Sequence, residues 1–348
     1  MPVNVFIVDD SAFMRKIISD ILNTDDGIHV FGTARNGKEA IEKLNNITPD
    51  VITLDVEMPV MDGLTCLESI MKNKPVPVIM LSSLTSEGAD ATIKALELGA
   101  IDFITKPKNL FSINQSHLTD EIIEKVKIAS QTNVNTDIRN ILYIKKPKSL
   151  TYSQKLKKIV AIGTSTGGPR ALQQVLPFIP GNIPAAFVIV QHMPPGFTKS
   201  LAKRLDTMSE LTVKEAEDED VVTAGCAYIA PGDFHMRFET KKQTGDMVIK
   251  LTKEKTILGH RPSVNVMMES LSATALTNII GVIMTGMGTD GCEGLKKLKQ
   301  YNQAKVIAQD EQSCIVYGMP RVAVQQGIVD TIVPLTEISK EIIKMMGV

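Results

Sequence analysis

The feature that most constrains the fold is a recurring unit. A short run of Val and Ile, polar mainly at its end, is followed by a stretch with helical periodicity. In the first part of the chain the runs are VNVFIV, HVFGTA, DVITLDV, VPVIML and DFITKP. Runs of this kind fit strands covered on both faces, as in a parallel sheet. The stretches between them are amphipathic. Phe13, Ile17, Ile21 and Leu22 fall on one face of the first; Ala89, Ile93 and Leu96 share a face of a later one, which Gly99 ends. Five such repeats predict a doubly wound α/β domain over residues 1–130, with its reactive groups at the carboxyl ends of the strands.

Over residues 131–157 the periodicity lapses into polar, Lys-rich sequence interrupted by Pro147, which reads as a linker. It resumes with IVAIG, AAFVIVQ, CAYIAP, MVIKL, IIGVIM and KVIAQ, predicting a second α/β domain over 158–348. Some hairpin content is expected between about Leu211 and Leu251, and ISKEIIKMM reads as a closing amphipathic helix. A chain of 348 residues can hold two such cores. A net charge of -1 gives no argument for nucleic acid or an anionic membrane, and the absence of Trp weighs against base-stacking surfaces. No apolar stretch is long enough to span a bilayer. MPVNVFIVDD enters a strand pattern without a basic, cleavable leader, so a cytoplasmic protein is expected. Cys66, Cys226, Cys292 and Cys314 are scattered without metal-ligand spacing and read as reduced thiols.

Asp9 and Asp10 follow the first run and Asp55 ends the third, so a parallel sheet brings them together. Three carboxylates in one pocket repel unless a hard cation lies among them, and Mg²⁺ suits an all-oxygen ligand set. One carboxylate can then accept a phosphoryl group. Lys106 adds a fixed positive charge, and Ser82 and Ser83 offer a hydroxyl to the new phosphoryl oxygens. Any one of these residues alone would read as a solvated strand cap; four groups at four strand ends read as a site. VDDSAFMR, LDVEMPVMDG, MLSS and the TKP that ends in Pro107 resemble the receiver domain of response regulators, over residues 3–128. The resemblance implies a flavodoxin-like fold with Asp55 phosphorylated by a histidine kinase. It implies Asp10 as a direct Mg²⁺ ligand assisted by Asp9, the Glu57 carbonyl completing the set, and Ser82 and Lys106 as switch residues.

In the second half, KKIVAIG followed by TSTGGPRAL puts Ser165 at a strand-to-helix turn, in a G-x-S-x-G pattern whose small residues allow a tight bend. A phosphate loop is the rival reading. It lacks the Lys-Ser/Thr ending, since Pro169 follows Gly168. His192 ends AAFVIVQ and Asp290 follows IIGVIM in a Gly-rich loop, so nucleophile, base and orienting acid would meet at strand ends of one sheet. The order Ser, His, Asp is not that of the α/β-hydrolases.

GTSTGG, VQHMPPGFT, IAPGDFHM, GHRPSV and MTGMGTDG resemble, in that order, the catalytic domain of chemotaxis protein-glutamate methylesterases. The resemblance implies a Rossmann-like serine hydrolase domain with Ser165, His192 and Asp290 as triad and the Thr166 and Met287 amides as oxyanion donors. It needs no cofactor in that domain. Methylated chemoreceptors are the implied substrate, with glutamine deamidation by the same route. Asn265 departs from the family pattern, in which an acid is expected. His235 and His260 lie in family motifs and read equally well as structural or substrate-facing. Phosphorylation of the receiver is expected to uncover the Ser165 cleft. Two other classes compete. A DNA-binding regulator predicts a helix-turn-helix and a basic face, neither of which is found; an inert docking scaffold predicts no labelling of Ser165 by a fluorophosphonate.

Overall fold

In a computed structural model the chain divides into two compact units, Met1–Ile141 and Leu142–Val348. The structure describes residues 1–106, 115–132, 156–277 and 279–347. Pro107 and nearly all of the predicted linker lie outside them.

The front unit is a five-stranded parallel sheet in the order β2-β1-β3-β4-β5, built from β1 (Val3–Val8), β2 (Ile28–Ala34), β3 (Val51–Asp55), β4 (Val78–Ser82) and β5 (Asp102–Thr105). Helices α1 (Ala12–Leu22), α2 (Gly37–Leu44), α3 (Gly63–Asn73), α4 (Ser86–Glu97) and α5 (Gln115–Ser130) alternate with the strands. Every residue of β3 and β4 is buried, as their unbroken apolar runs predict. Short polar residues start the helices: Ser11, Asn36, Asp62 and Thr85 each accept a hydrogen bond from an amide three residues on. The face predicted for α4 is buried. That for α1 is shifted: Ile18 and Leu22 are buried, whereas Phe13, in the first turn, is 56% exposed. The first turn of α1 stands beside the carboxyl edge of the sheet, beyond the reach of its core.

The rear unit has a seven-stranded parallel sheet in the order β14-β13-β12-β6-β7-β9-β8. Its strands are β6 (Lys158–Thr164), β7 (Ala185–Gln191), β8 (Thr212–Glu215), β9 (Cys226–Ile229), β12 (Ile280–Ile283), β13 (Lys305–Gln309) and β14 (Thr331–Val333). A separate antiparallel hairpin joins β10 (His235–Thr240) to β11 (Met247–Thr252). The helices are α6 (Gly168–Val175), α7 (Phe197–Met208), α8 (Val264–Ser272), α9 (Cys292–Asn302), α10 (Met319–Gln325) and α11 (Ile338–Met346). The expected hairpin content is confined to β10–β11, because β8 and β9 both enter the main sheet in parallel. The chain makes that return through Glu219–Val222, which bonds to the edge of β11 through Glu219 N–H to Ile249 O and Val222 N–H to Met247 O.

From β6 the chain lays down β7, then β8 at the edge and β9 between them, and returns to add β12, β13 and β14 on the other side. The ends of β6, β7 and β12 therefore meet where the winding reverses, the place where open α/β sheets bind ligands. In the front unit the corresponding place lies between β1 and β3.

Candidate active site and phosphoacceptor site

In the front unit, Asp9, Asp10 and Asp55 bring carboxylate oxygens within 4.8 Å of one another. Asp9 and Asp55 are buried and Asp10 is exposed. Lys106 Nζ lies 2.8 Å from Asp9 Oδ2 and 2.7 Å from Asp55 Oδ2. Burial pushes the Asp55 carboxyl up to about 6, against the pull of Lys106 and with the help of the Asp9 charge. Burial alone would lower Lys106, but its two carboxylate partners hold it above its ordinary value. One ammonium thus serves two carboxylates and leaves the pocket short of positive charge. Asp9 Oδ2 has the ion pair but no properly angled hydrogen bond. An all-oxygen donor set in which one ammonium must serve two buried carboxylates fits a hard divalent cation. Glu57 is exposed and donates its amide to Asp55 Oδ1 at 3.4 Å. Ser82 Oγ is turned toward α4, donating to Gly88 O at 3.1 Å and accepting from Thr92 Oγ1 at 2.7 Å. Ser83 Oγ points to Glu57 Oε1 at 3.4 Å.

In the rear unit, β6 and β7 pair up to Thr164 and Gln191, and His192 N–H donates to Thr164 O at 3.2 Å. Ser165 and His192 are therefore the first residues past the ends of adjacent strands. Ser165 N–H donates to Thr285 O at 3.0 Å, beyond the end of β12. Gly286 follows Thr285, and a Cβ there would lie 2.7 Å from Ser165 Cβ, so only glycine lets the two segments approach. The turn passes through Gly167, at φ +78, into α6.

Asp290 is 1% exposed and saturated with donors. It accepts from Ser263 Oγ at 2.8 Å, Val264 N at 2.6 Å, Asn265 N at 3.0 Å and His192 Nε2 at 2.8 Å. It therefore sits on the amino end of α8, where free amides and the helix dipole favour an anion. Burial alone would raise its pKa, but the His192 bond and charge and the two amides outweigh it and hold the carboxyl below its ordinary value. The imidazole is mounted with Nε2 toward the acid, the opposite of the familiar serine-protease arrangement, where Nδ1 faces it. Nδ1 of His192 is buried and has no hydrogen-bond partner. Ser165 Oγ makes no hydrogen bond to His192 in this structure, a contact that is often long without substrate. The His260 ring stacks on His192, with centroids 3.9 Å apart and planes within 9°.

Thr166 is buried, and its carbonyl accepts from Thr285 Oγ1 at 2.9 Å. The Met287 amide donates no hydrogen bond among the described residues. His235 is buried with Nε2 3.0 Å from Lys255 O. Asn265, flagged by sequence but given no role, accepts from Gly291 N and Gly294 N, both at 2.9 Å, and so caps α9 beside Asp290.

Two buried glutamines escaped the sequence reading. Gln191 accepts from Thr164 Oγ1 at 2.6 Å and donates to the carbonyls of Ser165, at 2.9 Å, and His192, at 3.1 Å. Gln309 accepts the Thr285 amide at 2.8 Å. Gln191 is inside the VQHMPPGFT motif and was the findable one: a Gln closing an otherwise apolar strand must have partners inside.

Residues 160–342 match the family described as CheB methylesterase, and residues 5–117 match the response regulator receiver domain. A protein-glutamate methylesterase/protein-glutamine glutaminase of Syntrophomonas wolfei is 46% identical over 348 residues, covering 98% of this chain and 99% of that one. The Pyrococcus horikoshii protein of the same description is 49% identical, covering 99% and 94%. The crystal structure of the Thermotoga maritima CheB methylesterase catalytic domain is 47% identical, with a TM-score of 0.52, and covers 54% of this chain and 98% of its own.

Proposed function

The chain belongs to the CheB methylesterase family and carries a response regulator receiver ahead of the esterase, and from that premise we propose how its residues work. It is a protein-glutamate methylesterase with glutaminase activity, under phosphorylation control. The observation that carries the residue assignment is the His192–Asp290 pair beside Ser165, with one imidazole nitrogen held by the acid and the other free.

In this reading Ser165 Oγ attacks the carbonyl carbon of a glutamyl methyl ester and passes its proton to His192 Nδ1. Asp290 keeps the ring oriented and balances the imidazolium. The Met287 and Thr166 amides, on either side of Ser165, receive the oxyanion. Collapse breaks the C–O bond, His192 returns the proton and methanol leaves. Water repeats the cycle on the acyl-enzyme and frees the carboxylate. A glutamine amide follows the same route and releases ammonia.

The substrates are methylated chemoreceptors, and the phosphodonor is a histidine kinase. Asp55 accepts the phosphoryl group, and Asp9, Asp10 and the Glu57 carbonyl would hold Mg²⁺ with it. When bound, Mg²⁺ would supply positive charge to the phosphoryl oxygens. Ser82 leaves Gly88 and Thr92 to meet the phosphoryl oxygen together with Lys106, and this change raises the esterase rate. The domain limits are 1–130 and 158–348, and the compartment is the cytoplasm. All four cysteines are free thiols, and no helix among the described residues is long and apolar enough to cross a membrane.

The test is methanol release from a methylated receptor fragment, with and without a small phosphodonor. The intact chain should release methanol faster when phosphorylated, and Ser165→Ala should lose at least about a thousandfold. Equal rates with and without phosphodonor would remove the control; a fully active Ser165→Ala would remove the mechanism.

A further inference from the structure

The ring stacked on His192 belongs to the base of a two-residue hairpin. Ile257 N–H donates to His260 O at 3.0 Å, and His260 N–H donates to Ile257 O at 2.9 Å. The two residues between them, Leu258 and Gly259, have φ of +51 and +82. Positive φ at both central positions is the signature of a type I′ turn, which calls for Asn, Asp or Gly at each. Gly259 meets that demand. Leu258 does not, and its backbone carries strain that Asn would relieve.

The same leucine is 60% exposed, and Ile257 beside it is 39% exposed. Among the described residues five non-glycines have positive φ: three are polar, and Val60, in the front unit, is the other aliphatic one. Leu258 thus costs the chain twice, in backbone conformation and in apolar surface left in water. Neither cost secures anything within the fold, since no core surrounds the tip.

The position of the tip supplies the reason. His260 is in ring contact with His192, and the Leu258 Cα is within about 7 Å of the His260 Cα, being two residues away. The hairpin therefore stands on the rim of the reaction centre. On the function proposed above, the glutamyl ester hangs from a receptor helix, and a helix with side chains is about 10–12 Å across. When the ester carbonyl reaches Ser165, a body of that width must lie against the rim. We infer that Ile257 and Leu258 grip the substrate helix. Their partner is a small or aliphatic side chain three or four positions from the ester-bearing glutamate, on the same helix face. The hairpin is in this sense a specificity element for helical substrates, separate from the groups that perform the chemistry.

The inference rests on the proposed function, and one comparison separates the two. Full-length wild type and Leu258→Asn are assayed on a methylated receptor fragment and on p-nitrophenyl acetate, which needs no docking. Asn suits the turn better than Leu, so the variant should fold at least as well. The expected result is a KM for the receptor fragment raised about tenfold, with kcat on it and turnover of the small ester within about twofold. An unchanged receptor KM in a working enzyme overturns the inference alone. A parallel loss on both substrates assigns the tip a structural role, and a parallel gain without phosphodonor assigns it to contact with the receiver; either overturns it. A wild type that cleaves the small ester and ignores the receptor fragment overturns the functional reading as well.

Discussion

Asn265 occupies a place where charge would be expensive. Its amide oxygen takes the first free amides of α9, and its own backbone N–H binds Asp290. A carboxylate could take the same two amides, and this is the position where the sequence comparison led us to expect an acid. In this chain the neutral side chain adds no second anion beside the Asp290 carboxylate that holds His192. Asn265→Asp should therefore lower stability at neutral pH by about 1–3 kcal/mol, since a second carboxylate is buried beside the first. It should also move the acid limb of the esterase rate profile to higher pH, because added negative charge favours the imidazolium. A pH–rate profile of the variant that overlays wild type would show that Asn265 is only a cap. Asp290 itself has a defined window. Its folded pKa is depressed, so its contribution to stability is complete above the ordinary value of 3.8 and is lost as pH falls through the folded value.

At the scale of elements, the ends of β6, β7 and β12 are joined by side chains as well as by backbone. Gln191 ties Thr164, Ser165 and His192 together, and Thr285 holds the turn from the other side with Gln309 behind it. Gln191→Ala leaves one hydroxyl and two carbonyls without these partners. The expected cost is about 2–4 kcal/mol in unfolding of the rear unit, with kcat reduced more than KM. Denaturant unfolding and steady-state kinetics on one preparation check both. Unchanged kcat in a destabilised protein would confine Gln191 to stability. The same ends show what was legible in the sequence. Ser165, His192 and Asp290 could be located because each follows an apolar run and sits among glycines. The partners that hold them were harder to find, because a polar residue at a strand end looks alike whether solvated or bonded across the sheet. The sheet order has the same cause. The strands could be found by pattern, whereas the parallel entry of β8 and β9 depends on a loop pairing with β11 that no local signal announces. The short strand β14 was missed, having three residues and incomplete burial, and β8 and β10 fell only within the general expectation of hairpin content. For α1, periodicity found the helix and misjudged its face by one position, since Phe13 has the right spacing but lies past the core.

At the scale of the molecule, both units place their chemistry where the winding of a parallel sheet reverses, and they differ in how charge is managed there. The front pocket is electrostatically incomplete. Asp55, at about 6, binds its proton more tightly than the unfolded chain does, so its contribution to stability falls as pH rises from about 4 through 6 and stays low above. In chelator at pH 7.5, Asp55→Asn should raise stability by about 1–3 kcal/mol, read as a higher melting temperature for the front unit. Excess Mg²⁺ should stabilise wild type by about 2.7 kcal/mol at a hundred times its dissociation constant, and the variant less. A wild type indifferent to Mg²⁺ would refute the cation reading of the cluster. The rear pocket is braced otherwise. Thr164, Gln191, Thr285, Gln309, Ser263 and Asn265 have no proton to gain or lose between mild acid and neutrality. Souring of the medium should thus leave the mould around Ser165 tight. After an acid spell such a pocket has nothing to refold.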